Sequence, residues 1–288
     1  MKILIIIPVY NEEKKLRRSL NSYLNQTYPI NQITIVNDGS SDNSSQIIKE
    51  YSKKYKSINY ISKDNFKSYA KPGKKIIKAF NYGLERSIKN YDLIGKFDAD
   101  IILPNNYFKR MVEIFTKDIK LGMCSGILAS KQNNKLEIKS EYSKNHVRGA
   151  IKLYRRSAFE KIGGLYESMG WDTLDELKME YYKFKIYVDQ KLICIHSRET
   201  GIRYKKEKFI KQGRVMYLLG YDFILCFLGS IKFTIKNKSI FPFFSSIYGY
   251  SVSSIKGEKK IVSNNFSKFV RRYRYKNIFH KIKKWGKY

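Results

Sequence analysis

Apolar positions along the first hundred residues switch between two periods. Ile3 to Ile7 is an unbroken aliphatic run, the pattern of a strand buried on both faces. From Glu12 to Leu24 the period lengthens, and Leu16, Leu20 and Leu24 recur at helical spacing among Lys, Arg and Ser. After a turn at Tyr28-Pro29, Gln32 to Asn37 (QITIVN) predicts a second strand. Asp38-Gly39-Ser40-Ser41-Asp42 is turn chemistry and leads into a helix from about Ser44 to Tyr55. Ile58 to Ser62 predicts a third short strand, Ile76 to Asn90 a helix, and Leu93 to Phe97 a fourth strand ending at Asp98-Ala99-Asp100. Strands and helices alternating at these lengths predict an α/β fold, a mostly parallel sheet with helices on both faces.

The second hundred residues continue the pattern less regularly. Asn105 to Lys117 is a helix with Met111, Ile114 and Phe115 on one side, and Leu121 to Ala129 is a strand. Gly149 to Leu153 and Ser157 to Ile162 give a strand and a short helix before Gly163-Gly164. Asp175 to Phe184 reads as helical, and Lys185 to Ile195 contains another strand. Beyond about residue 202 the character changes. Two apolar stretches, Val215 to Ile231 and Ile240 to Ile255, are separated by Lys232, Lys236 and Lys238. The expected organisation is an α/β domain over 1–201, with halves at 1–100 and 101–201, and a basic, aromatic-rich helical extension over 202–288.

Composition sharpens this picture in two respects. A chain of 288 residues with 43% apolar and 15% aromatic content can bury a full core. It also carries 57 Lys and Arg against 25 Asp and Glu, a net charge of +32. From Ile202 onward, 21 basic residues face only Glu207, Asp222 and Glu258, a surplus of 18. Such a surplus implies anionic partners: nucleic acid, acidic lipid headgroups or phosphorylated substrates. Cys124, Cys194 and Cys226 stand singly, which argues against a disulfide framework or a zinc site and for a reduced compartment. The opening MKILIIIPVYNEE has the start of an export signal, but its apolar run ends at Pro8 and Glu12 and Glu13 follow before any small-residue cleavage site. A cytoplasmic protein is expected.

In an open parallel sheet, ligands bind beyond the carboxyl ends of the strands. Asn11-Glu12, Asp38 and the Asp98/Asp100 pair all fall at such ends. Two carboxylates one residue apart can approach a hard divalent cation together, and Mg²⁺ or Mn²⁺ is commonly held by one or two carboxylates plus substrate phosphates. No G-x-G-x-x-G, G-x-x-x-x-G-K-[ST], G-x-S-x-G or H-E-x-x-H is present. Bound phosphates would therefore be held by metal and basic side chains.

Pro8-Val9-Tyr10-Asn11-Glu12, Val36-Asn37-Asp38-Gly39-Ser40-Ser41-Asp42 and Phe97-Asp98-Ala99-Asp100 together resemble the signature of family 2 glycosyltransferases, inverting enzymes on a GT-A fold. The likeness continues through Asn21 to Pro29, Arg155 to Leu165 and Gly170 to Leu177, covering about residues 1–200 in order. The resemblance implies that Pro8, Tyr10, Glu12 and Asp38 line the pocket for base and ribose, with Asp98 facing ribose and metal. It implies Asp100 as ligand of Mn²⁺ or Mg²⁺, and His196 as a further metal ligand. Lys71 and Lys74, in a Gly-containing loop, could assist the nucleotide. Many relatives take their base from the Asp of a Glu-Asp pair, but Gly170-Trp171-Asp172-Thr173 has Trp in place of Glu. Asp172 is carried over as the base, with Asp175 and Glu176 as rivals. Trp171 is either a stacking face for a sugar or a core residue. His146 and His280 have no such context.

The tail lacks the Q-x-x-R-W text of processive relatives, reading Gln212-Gly213-Arg214-Val215 instead, so a single transfer per encounter is expected. Val215 to Ile231 is at the lower length limit for a span and carries Asp222 near its middle, and Ile240 to Ile255 contains Pro242 and five Ser. Apolar segments flanked by Lys and Arg suit the headgroup region of an anionic membrane. The expected partners are a UDP- or GDP-linked sugar donor, a glycan or lipid-linked acceptor and the inner membrane face; packing on the α/β domain or in a homo-oligomer is the alternative for the apolar stretches. Two further alternatives are a metal-dependent nucleotidyltransferase and a nucleic-acid-binding protein using Arg271-Arg272-Tyr273-Arg274-Tyr275. No nucleic-acid motif occurs in the front half, so nucleic acid is not an expected partner.

Overall fold

The computed structural model describes residues 1–62, 73–132, 135–138, 146–197 and 205–285. The chain divides into two compact units, Met1–Glu199 and Thr200–Tyr288, and each is taken by itself.

The first unit is built on one sheet. Its strands are β1 (Ile3–Val9), β2 (Gln32–Asn37), β3 (Ile58–Ser62), β4 (Leu93–Phe97), β5 (Ile101–Ile102), β6 (Leu121–Gln132), β7 (Lys135–Glu137), β8 (Ile151–Arg155) and β9 (Lys185–His196). They lie in the order β3-β2-β1-β4-β8-β6-β9-β5, with β7 paired to β6. The helices are α1 (Glu13–Leu24), α2 (Ser44–Lys54), α3 (Lys74–Glu85), α4 (Tyr107–Lys117), α5 (Arg156–Lys161) and α6 (Trp171–Tyr181). Ile3 to Ile7 is fully buried, as its unbroken aliphatic run requires in the centre of the sheet. Leu16 and Leu20 of α1 and Ile77 and Phe80 of α3 repeat at helical spacing and bury completely on two separate clusters, one on each face. Each such fully buried aliphatic or aromatic side chain contributes about 1.5–3 kcal/mol.

Parallel pairing holds through β3-β2-β1-β4 and again between β6 and β9. The outer half is mixed, because β8 runs antiparallel to both β4 and β6 and β5 runs antiparallel to β9. Two short strands, β5 and β7, go beyond the sequence pattern, being too brief to show a period. Helix α6 begins at Trp171, four residues ahead of the expected Asp175.

The second unit is helical: α7 (Lys205–Leu218), α8 (Phe223–Asn237), α9 (Phe241–Ile255) and α10 (Asn264–Trp285). The apolar stretch Val215 to Ile231 is not one segment. Gly220 adopts φ +79 and breaks it, and Asp222 caps α8, accepting from the Leu225 amide at 2.9 Å. The same carboxylate accepts from Tyr275 Oη of α10 at 2.9 Å. Among the described residues, no helix is long and apolar enough to cross a membrane.

Candidate active site

Parallel pairing of β2, β1 and β4 brings three carboxyl ends to one edge of the sheet, and there Tyr10, Asp38 and Asp98 follow their strands. Pro8 lies half-buried near the end of β1, beyond the last residue paired with β4, Ile6 opposite Lys96. Its missing N–H therefore breaks no bond on that side. Asn11 takes φ +54, which Asn tolerates better than most residues. Its Oδ1 accepts from the Ser41 amide at 2.8 Å, and the Glu12 amide donates to Ser44 Oγ at 2.9 Å. The first two loops are thus stitched together, with Glu12 at the head of α1. Asp38 is buried, and its amide donates to the Val9 carbonyl at 2.9 Å.

Lys75 Nζ stands 3.5 Å from the Asp38 carboxylate and 4.1 Å from the centroid of the exposed Tyr10 ring. It is the neighbour of the expected Lys74, which points to solvent at the first position of α3. Lys71 lies outside the described residues. Helical phase explains the difference: adjacent residues on a helix face directions about 100° apart.

Beyond β4, Asp98, Asp100 and His196 offer ligand atoms that all lie within 4.8 Å of one another. The short pairing of β5 with β9 produces this grouping. Ile101 sits opposite His196, and the Ser197 amide donates to the Asp100 carbonyl at 3.0 Å. His196 Nε2 is 3.3 Å from Asp100 Oδ2. Helix α1 braces the same turn from below: Ser19 Oγ donates to the Ile101 carbonyl at 2.8 Å and Tyr23 Oη to the Asp98 carbonyl at 3.2 Å. Two carboxylates and one imidazole form a hard oxygen and nitrogen set that suits Mn²⁺ or Mg²⁺.

The acidic segment after Gly170 resolves into three different environments. Asp175 is 2% exposed; Lys152 Nζ donates to both its oxygens at 2.7 and 2.9 Å, and Tyr154 Oη donates at 2.5 Å. Burial pushes its carboxyl up to about 6, against the pull of Lys152. Glu176 accepts from the Val147 amide at 2.7 Å and pairs with His146 Nδ1 at 2.9 Å, so His146 does have a role in this region. Asp172, half-buried in the first turn of α6, has no side-chain hydrogen bond or ion pair among the described residues.

Two lysines that the sequence reading passed over tie these groups together. Lys96 and Lys152 lie opposite each other on β4 and β8 and are 1% and 0% exposed. Lys96 Nζ bonds the Asp98 carboxylate and the Gly149 carbonyl. Lys152 Nζ, besides Asp175, donates to the Asp172 carbonyl at 2.7 Å. Each ammonium is 5.4 Å from the centroid of Trp171. That ring is buried and packs over Gly149, where a Cβ would come within 2.9 Å of it. Trp171 is therefore a core residue and not an open stacking face. The signal was present: a buried charge must be paired, and a Lys inside LIGKF or IKLYR demanded an acidic partner.

Known proteins agree with this architecture. A family profile described as glycosyl transferase family 2 matches residues 4–164, more than half of the chain. "Glycosyltransferase GlyA" of Streptococcus pneumoniae is 48% identical over 62 residues, 22% of this chain and 9% of that protein. "Poly-beta-1,6-N-acetyl-D-glucosamine synthase" of Staphylococcus epidermidis is 24% identical over 217 residues, 67% of this chain and 49% of that one. The chain thus matches less than half the length of these curated relatives. Among solved structures, S. aureus TarS 1-349 in complex with UDP-GlcNAc superimposes with a TM-score of 0.59 at 18% identity, covering 77% of this chain and 68% of that one. The mannosyltransferase PcManGT from Pyrobaculum calidifontis, in complex with GDP-Man and Mn²⁺, gives 0.58 at 12% identity over 99% and 82%. At these identities the likeness establishes the shared fold.

Proposed function

The chain belongs to glycosyl transferase family 2, with a GT-A fold, and on that premise we propose that it moves a sugar from a UDP- or GDP-linked donor to an acceptor hydroxyl or phosphate with inversion. The observation that carries this reading is the grouping of Asp98, Asp100 and His196 at the end of β4. Pro8, Tyr10, Glu12 and Asp38 line the base and ribose side, with Lys75 beside the exposed Lys74 supplying positive charge.

A bound Mn²⁺ or Mg²⁺, held by Asp100 and His196 with Asp98 at its margin, would offset the charge on the donor diphosphate. Asp172 is the carboxylate left available to take the acceptor proton; Asp175 and Glu176 are committed to Lys152, Tyr154, His146 and the Val147 amide. In the transfer, Asp172 accepts that proton as the acceptor oxygen attacks the anomeric carbon from the face opposite the diphosphate. The bond from anomeric carbon to diphosphate oxygen breaks, and the nucleoside diphosphate leaves with the electron pair. Lys152, through the Asp172 carbonyl, fixes the turn that carries the base. The acceptor is a cell-surface glycan or a lipid-linked glycan, met at the cytoplasmic face of an anionic membrane.

Incubation with UDP-GlcNAc or GDP-mannose and Mn²⁺ tests this reading through melting temperature and release of nucleoside diphosphate. The expected result is a metal-dependent rise in melting temperature and slow release of UDP or GDP. Pyrophosphate release from a nucleoside triphosphate and a sugar phosphate, without either effect, would make the protein a nucleotidyltransferase instead.

A further inference from the structure

Helices α8 and α9 are built inside out. An amphipathic helix in water turns its apolar stripe inward and its polar stripe outward. Helix α9 buries Pro242, Ser245, Ser246, Gly249, Tyr250 and Ser253, spaced as one helical face. Its opposite face exposes Phe241, Phe244, Tyr248 and Ile255, with Phe244 63% and Ile255 86% accessible. Helix α8 follows in part: Leu225, Cys226 and Ser230 are interior, whereas Ile224, Phe227, Leu228 and Ile235 face outward. Lys238, in a left-handed cap, and Ser239 and Ile240 join the two helices, so both apolar stripes belong to one short hairpin.

The buried small residues explain how such helices pack. A Cβ on Gly249 would lie 2.0 Å from the Ile210 carbonyl, and one on Gly213 1.8 Å from the Ser246 carbonyl. Helices α7 and α9 therefore meet backbone to backbone. Three of the buried hydroxyls bond their own helix one turn back: Ser230 to the Cys226 carbonyl at 2.8 Å, Ser246 to the Pro242 carbonyl at 2.7 Å, and Ser253 to the Gly249 carbonyl at 3.1 Å. Close packing through small residues with internally satisfied hydroxyls is how helices associate where the surroundings are as apolar as their side chains. An apolar stripe of this length is more than scattered surface residues.

We propose that this hairpin lies in the surface of an anionic bilayer, its Phe, Ile, Leu and Tyr stripe buried at the boundary between headgroups and acyl chains. The inference deepens the membrane part of the reading above and rests on it. Each helix has 15 residues, about 22 Å long, too short for a hydrocarbon core of about 30 Å. Exposed Lys232, Lys236 and Lys238 stand toward one end of the stripe and Lys256 and Lys259 at the other, where headgroup phosphates would meet them. The three acidic residues of this unit are engaged internally: Glu207 with Lys211, Asp222 at the α8 cap and Glu258 with Arg214. A second copy of the chain would bring the same basic surplus against itself, whereas an anionic leaflet supplies the opposite charge.

Co-sedimentation with vesicles tests this on the full chain. Vesicles containing phosphatidylglycerol should bind the protein roughly tenfold or more tightly than pure phosphatidylcholine vesicles, and high salt should narrow that ratio. Phe244→Asp should weaken binding to the acidic vesicles by at least roughly tenfold, with an unchanged melting temperature because the ring is exposed. Lys236→Glu with Lys238→Glu should lower acidic-vesicle binding alone. Equal binding to both vesicle types would overturn the anionic partner. Full binding by folded Phe244→Asp would overturn the apolar stripe. A dimer in solution that Phe244→Asp dissociates, with no vesicle binding, would assign the stripe to a second copy. Donor binding is measured in the same preparation; its retention alongside absent vesicle binding sinks this inference and leaves the transferase reading standing.

Discussion

Strand β1 of the first unit and helix α9 of the second bury opposite things. In the first, β1 hides five consecutive aliphatic residues and the carboxylates collect at strand ends, where they are partly paired and aimed at one edge. In the second, α9 hides mostly Ser and Gly, with Pro242 and Tyr250, and presents Phe241, Phe244, Tyr248 and Ile255 outward. Among the described residues, buried polar atoms lack a hydrogen-bond partner in both units, Ser130 Oγ in the first and Gln212 Oε1 and Thr234 Oγ1 in the second, so the contrast does not lie in polar satisfaction. On the proposed reading it lies in the surroundings of each unit: water and a phosphorylated ligand in one case, an apolar boundary with anionic charge in the other.

Substitutions can break that comparison or sharpen it, and the largest effects fall in the first unit. Asp100→Ala removes a carboxylate from the only cluster of three groups that could hold a metal ion among the described residues. Donor-dependent release of nucleoside diphosphate should fall about 10³-fold or more, because metal stabilisation is worth several kcal/mol. Undiminished activity would remove Asp100 from the site. Asp172→Asn should lower transfer by roughly 10²–10⁴-fold while donor affinity, measured by calorimetry, stays within about twofold. Lost donor affinity would place Asp172 on the donor side instead.

The buried lysine pair comes next. Lys152→Met strands Asp175 in the interior, and the variant should lose about 3–5 kcal/mol in denaturant titration. Adding Asp175→Leu should restore stability, yet turnover should stay low because the bond to the Asp172 carbonyl is still missing. Recovery of both would make the pair purely structural. Burial raises Asp175 from 3.8 to about 6, so the folded chain holds that proton more tightly than the unfolded one. Its contribution to stability is then fully present below pH 3.8 and disappears as pH rises through about 6. Comparison with Asp175→Asn across that window should expose the slope.

Smaller effects belong to the second unit. Asp222→Ala removes the α8 cap and the acceptor for Tyr275, costing about 1–2 kcal/mol by thermal melting. Phe244→Ser should change stability by less than about 0.5 kcal/mol, whereas Phe80→Ala, at a fully buried site, should cost about 3–5 kcal/mol. Equal costs at Phe244 and Phe80 would dissolve the comparison.

Period and turn chemistry were legible wherever one residue's neighbours in sequence are also its structural context. Ile3 to Ile7, the helix after Glu12 and the turns after Asn37 and Phe97 read directly. What the sequence concealed depended on distant pairings. His196 is named through the family resemblance alone, because it reaches the Asp98-Asp100 turn through a two-residue strand, β5, that has no pattern of its own. The three candidate acids of α6, Asp172, Asp175 and Glu176, look equivalent in a line of letters; burial against Lys152 and Tyr154 separates Asp175 from Asp172. Asp222 looked like a flaw in an apolar stretch until the Gly220 turn supplied the helix boundary and α10 the Tyr275 partner. The outward stripe of α9 was hidden for the same reason, since an apolar residue in sequence does not say which way it faces.

The central claim is that the strand-end carboxylates hold a nucleoside diphosphate through a divalent cation. Calorimetric titration of UDP and of GDP, with and without Mn²⁺, tests it most directly on wild type and Asp100→Ala. The account predicts saturable binding of at least one nucleotide that requires Mn²⁺, disappears on chelation and weakens by at least roughly tenfold in Asp100→Ala. Binding of equal strength with and without Mn²⁺, unchanged in Asp100→Ala, would contradict it.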